Sequence, residues 1–173
     1  MKVLKVEKLN IDGILENINF EIEKGEIVTL VGSSGSGKTS IAKAIMGLSK
    51  LKYSGDIFVN SKKEYIRGKD ICMIFQDIEQ SLNPVLKIKK QFFEALIYHK
   101  ICDKKNVMEY SKKILHKVNL NEKVLDRYPF ELSGGEKQRI VIAMIISLNP
   151  SIIICDEISS SLDTVNEYEI FKI

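Results

Sequence analysis

The stretch IVTLVGSSGSGKTSIAKAIMGL, residues 27–48, constrains the fold of this chain more than any other. It carries three local instructions in succession. Ile27 to Val31 is apolar apart from Thr29, the pattern of a strand buried on both faces of a parallel sheet. Gly32 to Gly37 is too rich in glycine and serine to continue that strand. From Lys38 onward apolar side chains return at helical spacing, with Ile41, Ala44, Ile45 and Leu48 on one face. Strand, loop and helix in that order predict an α/β fold whose ligand lies at the carboxyl edge of the sheet.

The loop itself, GSSGSGKT from Gly32 to Thr39, fits G-x-x-x-x-G-K-[ST] in the context that pattern requires. Its glycines let successive backbone N–H groups turn inward around phosphate oxygens, and the helix N-terminus behind them adds partial positive charge. Lys38 is placed to reach the β- and γ-phosphates, and the Thr39 hydroxyl to ligate Mg²⁺. The expected ATP-binding residues are Gly32, Ser33, Ser34, Gly35, Ser36, Gly37, Lys38, Thr39 and Ser40. The plainer reading is a glycine–serine turn ahead of a helix, which would need no apolar strand before it.

A second apolar strand, Ile152 to Cys155, runs directly into Asp156 and Glu157. At the carboxyl edge of a buried strand these acids would face phosphates held by the glycine loop. Asp156 can then hold Mg²⁺ through water, and Glu157 can polarise an attacking water. Without Lys38 elsewhere in the chain, the pair would read as a solvated strand end.

A third stretch, LSGGEKQR from Leu132 to Arg139, contains the capping box S-x-x-E in Ser133 and Glu136, just before an apolar helix that Asn149-Pro150 closes. A cap alone does not explain Gly134 and Gly135, which weaken a first helical turn. They fit a large anion approaching the exposed N–H groups closely. Because Gly32 to Gly37 already takes one end of a nucleotide, the phosphate at Ser133 to Glu136 is assigned to a second subunit.

The remaining sequence supplies the frame. Val3, Val6 and Leu9, then Ile18, Phe20 and Ile22, read as an antiparallel pair with one wet face, and SGDIFVN and ICMIFQ as two further strands. From about Val85 to Lys117 the spacing is helical, with Phe92, Phe93, Leu96 and Ile97 on one stripe and Val107, Tyr110, Ile114, Leu115 and Val118 on another. The expected organisation is a discontinuous nucleotide-binding core, residues 1–80 and 132–173, with a helical insert at 81–131.

Composition excludes several classes. With 26 basic against 23 acidic residues spread along the length, no block tracks a phosphate backbone, so nucleic acid is not expected as a partner. The run from Ile140 to Leu148 is too short to span a bilayer and reads as a buried helix. The opening MKVLKVEKLN shows no hydrophobic block followed by a small-residue cleavage site, so the expectation is a cytoplasmic chain unless a partner holds it at a membrane. Cys72, Cys102 and Cys155 lack paired metal spacing and read as reduced, mostly buried small hydrophobes.

Taken together these motifs resemble the nucleotide-binding subunit of an ATP-binding cassette (ABC) transporter: Gly32 to Thr39 as Walker A, LSGGEKQR as the signature and IIICDE as Walker B. The resemblance implies a P-loop NTPase core of ABC type, with an N-terminal antiparallel β-subdomain and an inserted helical subdomain. It adds Gln76, in MIFQD, as a Q-loop glutamine near Mg²⁺ and the catalytic site, and Asp163, in SSLD, as the D-loop acid. MIFQD with SLNPVLKI, and RYPFELSGGEKQR, look like the importers of peptides and nickel. The implied partners are a second ATPase subunit, identical or homologous, that sandwiches two ATP molecules head to tail, transmembrane permease subunits and, indirectly, an extracellular solute-binding protein. The implied location is peripheral, on the inner face of the cell membrane.

Three departures from the family pattern stand out. The loop near Asp12, where the family usually stacks an aromatic ring on adenine, offers Ile11, Ile14 and Leu15. Ile158 stands where a proline usually follows the acid pair. The family continues beyond the D-loop through a helix into another core strand that ends in a switch histidine, whereas this chain stops at Ile173, and His99 and His116 read as surface residues of the insert. The expectation is a C-terminally truncated cassette, its last core strand missing, that binds nucleotide and turns over poorly. Two alternatives accompany it: a non-catalytic remnant, and a non-transport ABC ATPase acting on nucleic acid, a class that usually carries coiled coils or a tandem cassette.

Overall fold

The structure, a computed structural model, describes residues 1–75 and 81–156. They fall into two compact units. The first holds residues 1–73 and 150–156, and the second holds residues 74–149.

The first unit begins with β1 (Lys2–Ile11) and β2 (Leu15–Glu23), joined by the tight turn Asp12-Gly13-Ile14. After the glycine loop come α1 (Lys38–Ile45) and β3 (Tyr53–Val59), which pairs antiparallel with the other side of β1 to give the order β2-β1-β3. The apolar positions of β1 do not keep a strict two-residue period, and the reason is a bulge. Lys8 takes φ 49° and the register shifts between Val6 and Leu9, so that Leu4, Val6, Leu9 and Ile11 all reach the core. Lys8 N–H, released from the ladder, donates to Asn19 Oδ1 at 2.8 Å. Opposite the bulge stands Gly55 at φ 105°, where a Cβ would lie 2.4 Å from Lys8 O. Only glycine lets β3 cross there.

α1 lays Ile41, Ala42, Ala44 and Ile45 against this sheet, and Ile57, Val59, Ile71, Met73 and Ile152 complete the same cluster. The last three come from β4 (Ile71–Ile74) and β5 (Ile152–Cys155), which form a separate two-stranded sheet. β5 is fastened at its start: Ser151 N–H donates to Asp70 O at 3.0 Å, and Asn60 Nδ2 to Ser151 Oγ at 2.9 Å.

One expected strand is absent. Ile27 to Val31 carries no regular structure, and Ile27 and Val31 are 77% and 91% exposed. A buried parallel strand needs ladder neighbours on its edges, and no described strand pairs with these residues. β5 is affected similarly, since in a two-stranded sheet Ile153 and Cys155 remain exposed, against the expectation of a buried cysteine. Cys72, on β4, is buried as expected, and burial pushes its thiol up to about 11.

The second unit is helical. α2 (Ile88–Tyr98) buries Ile88, Phe92 and Leu96, and α3 (Val107–Lys117) buries Val107, Ile114 and Leu115. Two 3-10 turns, Glu122–Asp126 and Pro129–Glu131, lead into α4 (Gly134–Ser147), whose Ile140, Val141, Ile142 and Ala143 are buried as the apolar run predicts. Buried Gln91 is satisfied by Asn83 N–H at 2.9 Å and by the Asn83 and Leu86 carbonyls at 3.0 Å. Among the described residues no helix is long and apolar enough to cross a membrane.

Candidate functional site

The glycine loop leads into α1 through two left-handed residues, Gly35 at φ 78° and Gly37 at φ 92°. Between them Ser36 N–H donates to Ser33 O at 3.2 Å, tightening the bend. The room inside depends on missing Cβ atoms: one at Gly32 would meet Ser36 Oγ at 2.6 Å, and one at Gly37 would meet Ile14 Cγ2 at 2.8 Å. α1 has neither a side-chain cap on its first turn nor an acidic residue within it. Its leading N–H groups thus lack a side-chain acceptor and carry the positive end of the helix dipole, the arrangement that receives an anion.

Lys38 folds back over the loop, its Nζ donating to Gly32 O and to Ser33 O, each at 2.8 Å. The ammonium is thereby held at the mouth of the bend without closing an ion pair there. The next residue makes the decisive contact: Thr39 Oγ1 donates to Asp156 Oδ1 at 3.0 Å, across 117 residues of sequence. Walker A and Walker B therefore converge. A hydroxyl and a carboxylate, both hard oxygen ligands, meet beside a phosphate cradle, a donor set that suits Mg²⁺. Among the described residues no group of three or more His, Cys, Asp or Glu side chains could hold a metal alone, so a cation here would draw its other ligands from phosphate and water.

The signature segment lies in the second unit and is described by itself. Ser133 Oγ accepts from Glu136 N–H at 3.2 Å and Glu136 Oε2 accepts from Ser133 N–H at 2.9 Å, completing the capping box that S-x-x-E predicts. Arg127 Nη1 lies 3.7 Å from Glu136 Oε1. A Cβ at Gly135 would make only an ordinary 3.8 Å contact with Arg139 Nη1, so packing within this chain does not require glycine there. Arg139 Nε is buried with no hydrogen-bond partner.

The Ser133 N–H bond, with Arg127 and Arg139 behind it, holds the Glu136 carboxyl below its ordinary value of 4.5. A lowered carboxylate pKa adds stability that is complete above the ordinary value and fades as pH falls through the folded one. The unfolding midpoint of the parent chain is expected to drop relative to Glu136→Gln as pH is lowered from about 6 to about 3, because glutamine keeps the reciprocal cap without titrating. Parallel midpoint curves over that range would refute the assignment.

The structure thus brings together Gly32 to Ser40 and Asp156, and it builds Ser133 to Glu136 as a capped helix start. Gln76, Glu157 and Asp163 lie outside the described residues. Sequence reasoning missed the anchor of β5 on Asp70 and Asn60, which sets the height of Asp156; neither residue belongs to a motif, and the only local sign is the turn-forming pair Asn60-Ser61.

Fold and site together define an ATP-binding cassette. Residues 15–160 match the ABC transporter family, and the chain belongs to it. Among its relatives, the oligopeptide transport ATP-binding protein AppD of Bacillus subtilis (strain 168) is 38% identical over 176 residues, covering 92% of this chain and 53% of the relative. The chain spans about half the length of such curated relatives. Two solved structures share the fold: cbiO1 from Clostridium perfringens, part of the ABC transporter complex cbiONQ, at TM-score 0.81, 27% identity and coverage of 99% of this chain and 71% of that one; and a dimeric post-hydrolysis state of the cassette MJ0796 bound to ADP and Pi, at TM-score 0.79, 25% identity and coverage of 96% and 79%.

Proposed function

We propose that this chain is the ATP-binding subunit of a solute importer of the peptide or nickel type, coupling ATP binding and hydrolysis to transport through membrane permease partners. The observation that carries the reading is the Thr39–Asp156 hydrogen bond, which joins the phosphate cradle to the carboxylate that phosphate chemistry requires. The peptide branch is supported by the oligopeptide transport relative, and pairing with a second cassette by the dimeric form of the structural neighbour.

In this reading the N–H groups of Gly32 to Gly37 and of the first turn of α1 cradle the phosphates, and Lys38 leaves its two carbonyls to neutralise them. Thr39 and Asp156 would hold Mg²⁺, which when bound withdraws charge from the β- and γ-phosphates. Gln76 and Glu157 complete the catalytic set, with Glu157 orienting and polarising the water that attacks the γ-phosphorus and releases ADP and phosphate. Ser133, Gly134, Gly135 and Glu136 receive the nucleotide of the partner subunit at the capped start of α4. Asp163 would serve as the D-loop acid, and the assembly works at the inner face of the membrane with its permease and, across the membrane, a solute-binding protein.

ATP binding with and without Mg²⁺ tests the site. The parent is expected to bind more tightly with Mg²⁺, and Asp156→Asn and Thr39→Val are each expected to lose about tenfold of that gain, one charge-assisted contact. A Mg²⁺ effect that persists in both folded variants would sink the reading. Loss of oligopeptide and nickel uptake in cells lacking the chain, restored by the parent and not by Asp156→Asn, tests the transport half; uptake unchanged without the chain would refute it.

A further inference from the structure

β5 carries a carboxylate that has to arrive at one place. Asp156 Oδ1 accepts from Thr39 Oγ1 at 3.0 Å, and side chains on a strand alternate between faces, so a slip of one residue in β5 would turn Asp156 away from Thr39. The strand has little of its own to prevent that slip. It is four residues long, lies in a two-stranded sheet and buries only Ile152 fully. Its sequence, IIIC, does not choose a register either, because moving Ile153 into the place of Ile152 exchanges one isoleucine for another.

What does choose it lies just upstream. Ser151 N–H and Ile152 N–H both donate to Asp70 O, at 3.0 and 3.3 Å, and Ser151 Oγ accepts from Asn60 Nδ2 at 2.9 Å. In SIIIC only Ser151 carries a hydroxyl, so the Asn60 contact cannot pass to a neighbour. Asn60 is itself fixed: its N–H donates to Val3 O at 2.9 Å, one step beyond the last β1–β3 pair, Leu4 with Val59. It stands at φ 51°, followed by Ser61 at φ 65°. Glycine would adopt that backbone with least strain, whereas asparagine tolerates it and adds a side chain that can donate. A turn alone needs only the first property. We infer that Asn60 is a positioning residue for the cation site, tying β1 and β3 to Ser151 and so fixing the register in which β5 delivers Asp156 to Thr39. The inference rests on reading Thr39 and Asp156 as ligands of Mg²⁺.

Calorimetric titration of the whole chain with ATP, with and without Mg²⁺, tests it, the ratio of the two affinities being the readout. Asn60→Gly keeps the turn and removes the side-chain bond. It is expected to lose about fivefold of the gain that Mg²⁺ gives, the effect of one neutral hydrogen bond, while affinity without Mg²⁺ stays within about twofold of the parent's. Its unfolding midpoint should stay within about two degrees, because relieved backbone strain offsets the lost bond. Ser151→Ala should show the same loss, and the double variant no more than either single one, since the same bond is removed only once. Ser151→Thr keeps the hydroxyl and should keep the gain. A full Mg²⁺ gain in both Asn60→Gly and Ser151→Ala, losses that add in the double variant, or a loss equal with and without Mg²⁺ would overturn the inference while the cation site stands. A parent whose affinity for ATP does not respond to Mg²⁺ would instead remove the cation site and the inference with it.

Discussion

Lys38→Met is expected to lose about thirtyfold or more in affinity for ATP while its unfolding midpoint stays within a degree or two of the parent's, since surface changes of this kind rarely move stability by more than about 0.5 kcal/mol. The two halves of that expectation come from the same geometry. Without ligand, the Lys38 ammonium is satisfied by the Gly32 and Ser33 carbonyls at 2.8 Å. It can exchange those neutral acceptors for phosphate oxygens with little movement, and charge-assisted contacts are about twice as strong as neutral ones. Methionine keeps the length of the stem and removes the charge. Both carbonyls lie on exposed loop residues, so water replaces the lost donor. Isothermal titration with ATP, with a thermal melt on the same sample, reads both quantities. Retained affinity would show that the loop does not hold phosphate, and a collapsed midpoint that Lys38 serves the fold.

Gly55→Ala is expected to destabilise the first unit by about 3 kcal/mol or more, among the largest effects a single methyl group can have. A Cβ at this position would sit 2.4 Å from Lys8 O and 2.7 Å from Glu7 O, and neither is a flexible side-chain end that could swing aside. The φ of 105° adds strain of its own. Relief would require undoing the bulge at Lys8, which rotates Leu9 and Ile11 out of the core. Gly13→Ala is the control. Gly13 also has a positive φ, 72°, yet nothing lies within 4 Å of its Cβ position, so only the local backbone cost of about 1 kcal/mol should appear. Equal midpoint shifts for the two alanines would mean that the close approach at Gly55 contributes nothing.

The contrast between these two glycines marks the limit of what was legible in the sequence. Motifs written in consecutive residues were readable: the loop from Gly32 to Thr39, the Ser133–Glu136 capping box and the apolar stripe of α3 stand where their spacing puts them, whereas in α2 Phe92 and Leu96 are buried as expected but Phe93 is exposed and Ile97 half-buried. The meeting of Thr39 with Asp156 was expected from strand polarity, not from any local signal across 117 residues, and it holds although Ile27 to Val31 forms no strand. The bulge at Lys8 was hidden, because a three-residue apolar spacing in β1 fits several distortions and Gly55 reveals which one only once β3 is alongside. Ile27 to Val31 was misread for a related reason. Its composition states a preference for a buried strand, but pairing is a property of neighbours, and none of the described strands supplies it.

That unpaired stretch bears on the solution behaviour of the protein. EIVTLV, from Glu26 to Val31, joins β-branched and leucine side chains with a single charge and contains neither proline nor glycine, the composition of a segment that stacks into cross-β ladders. Among the described residues no strand pairs with it, and Val31 is 91% exposed, the condition under which an apolar edge invites another strand. Thr29→Lys would place a charge in the middle of this apolar run, the device by which natural sequences guard such segments.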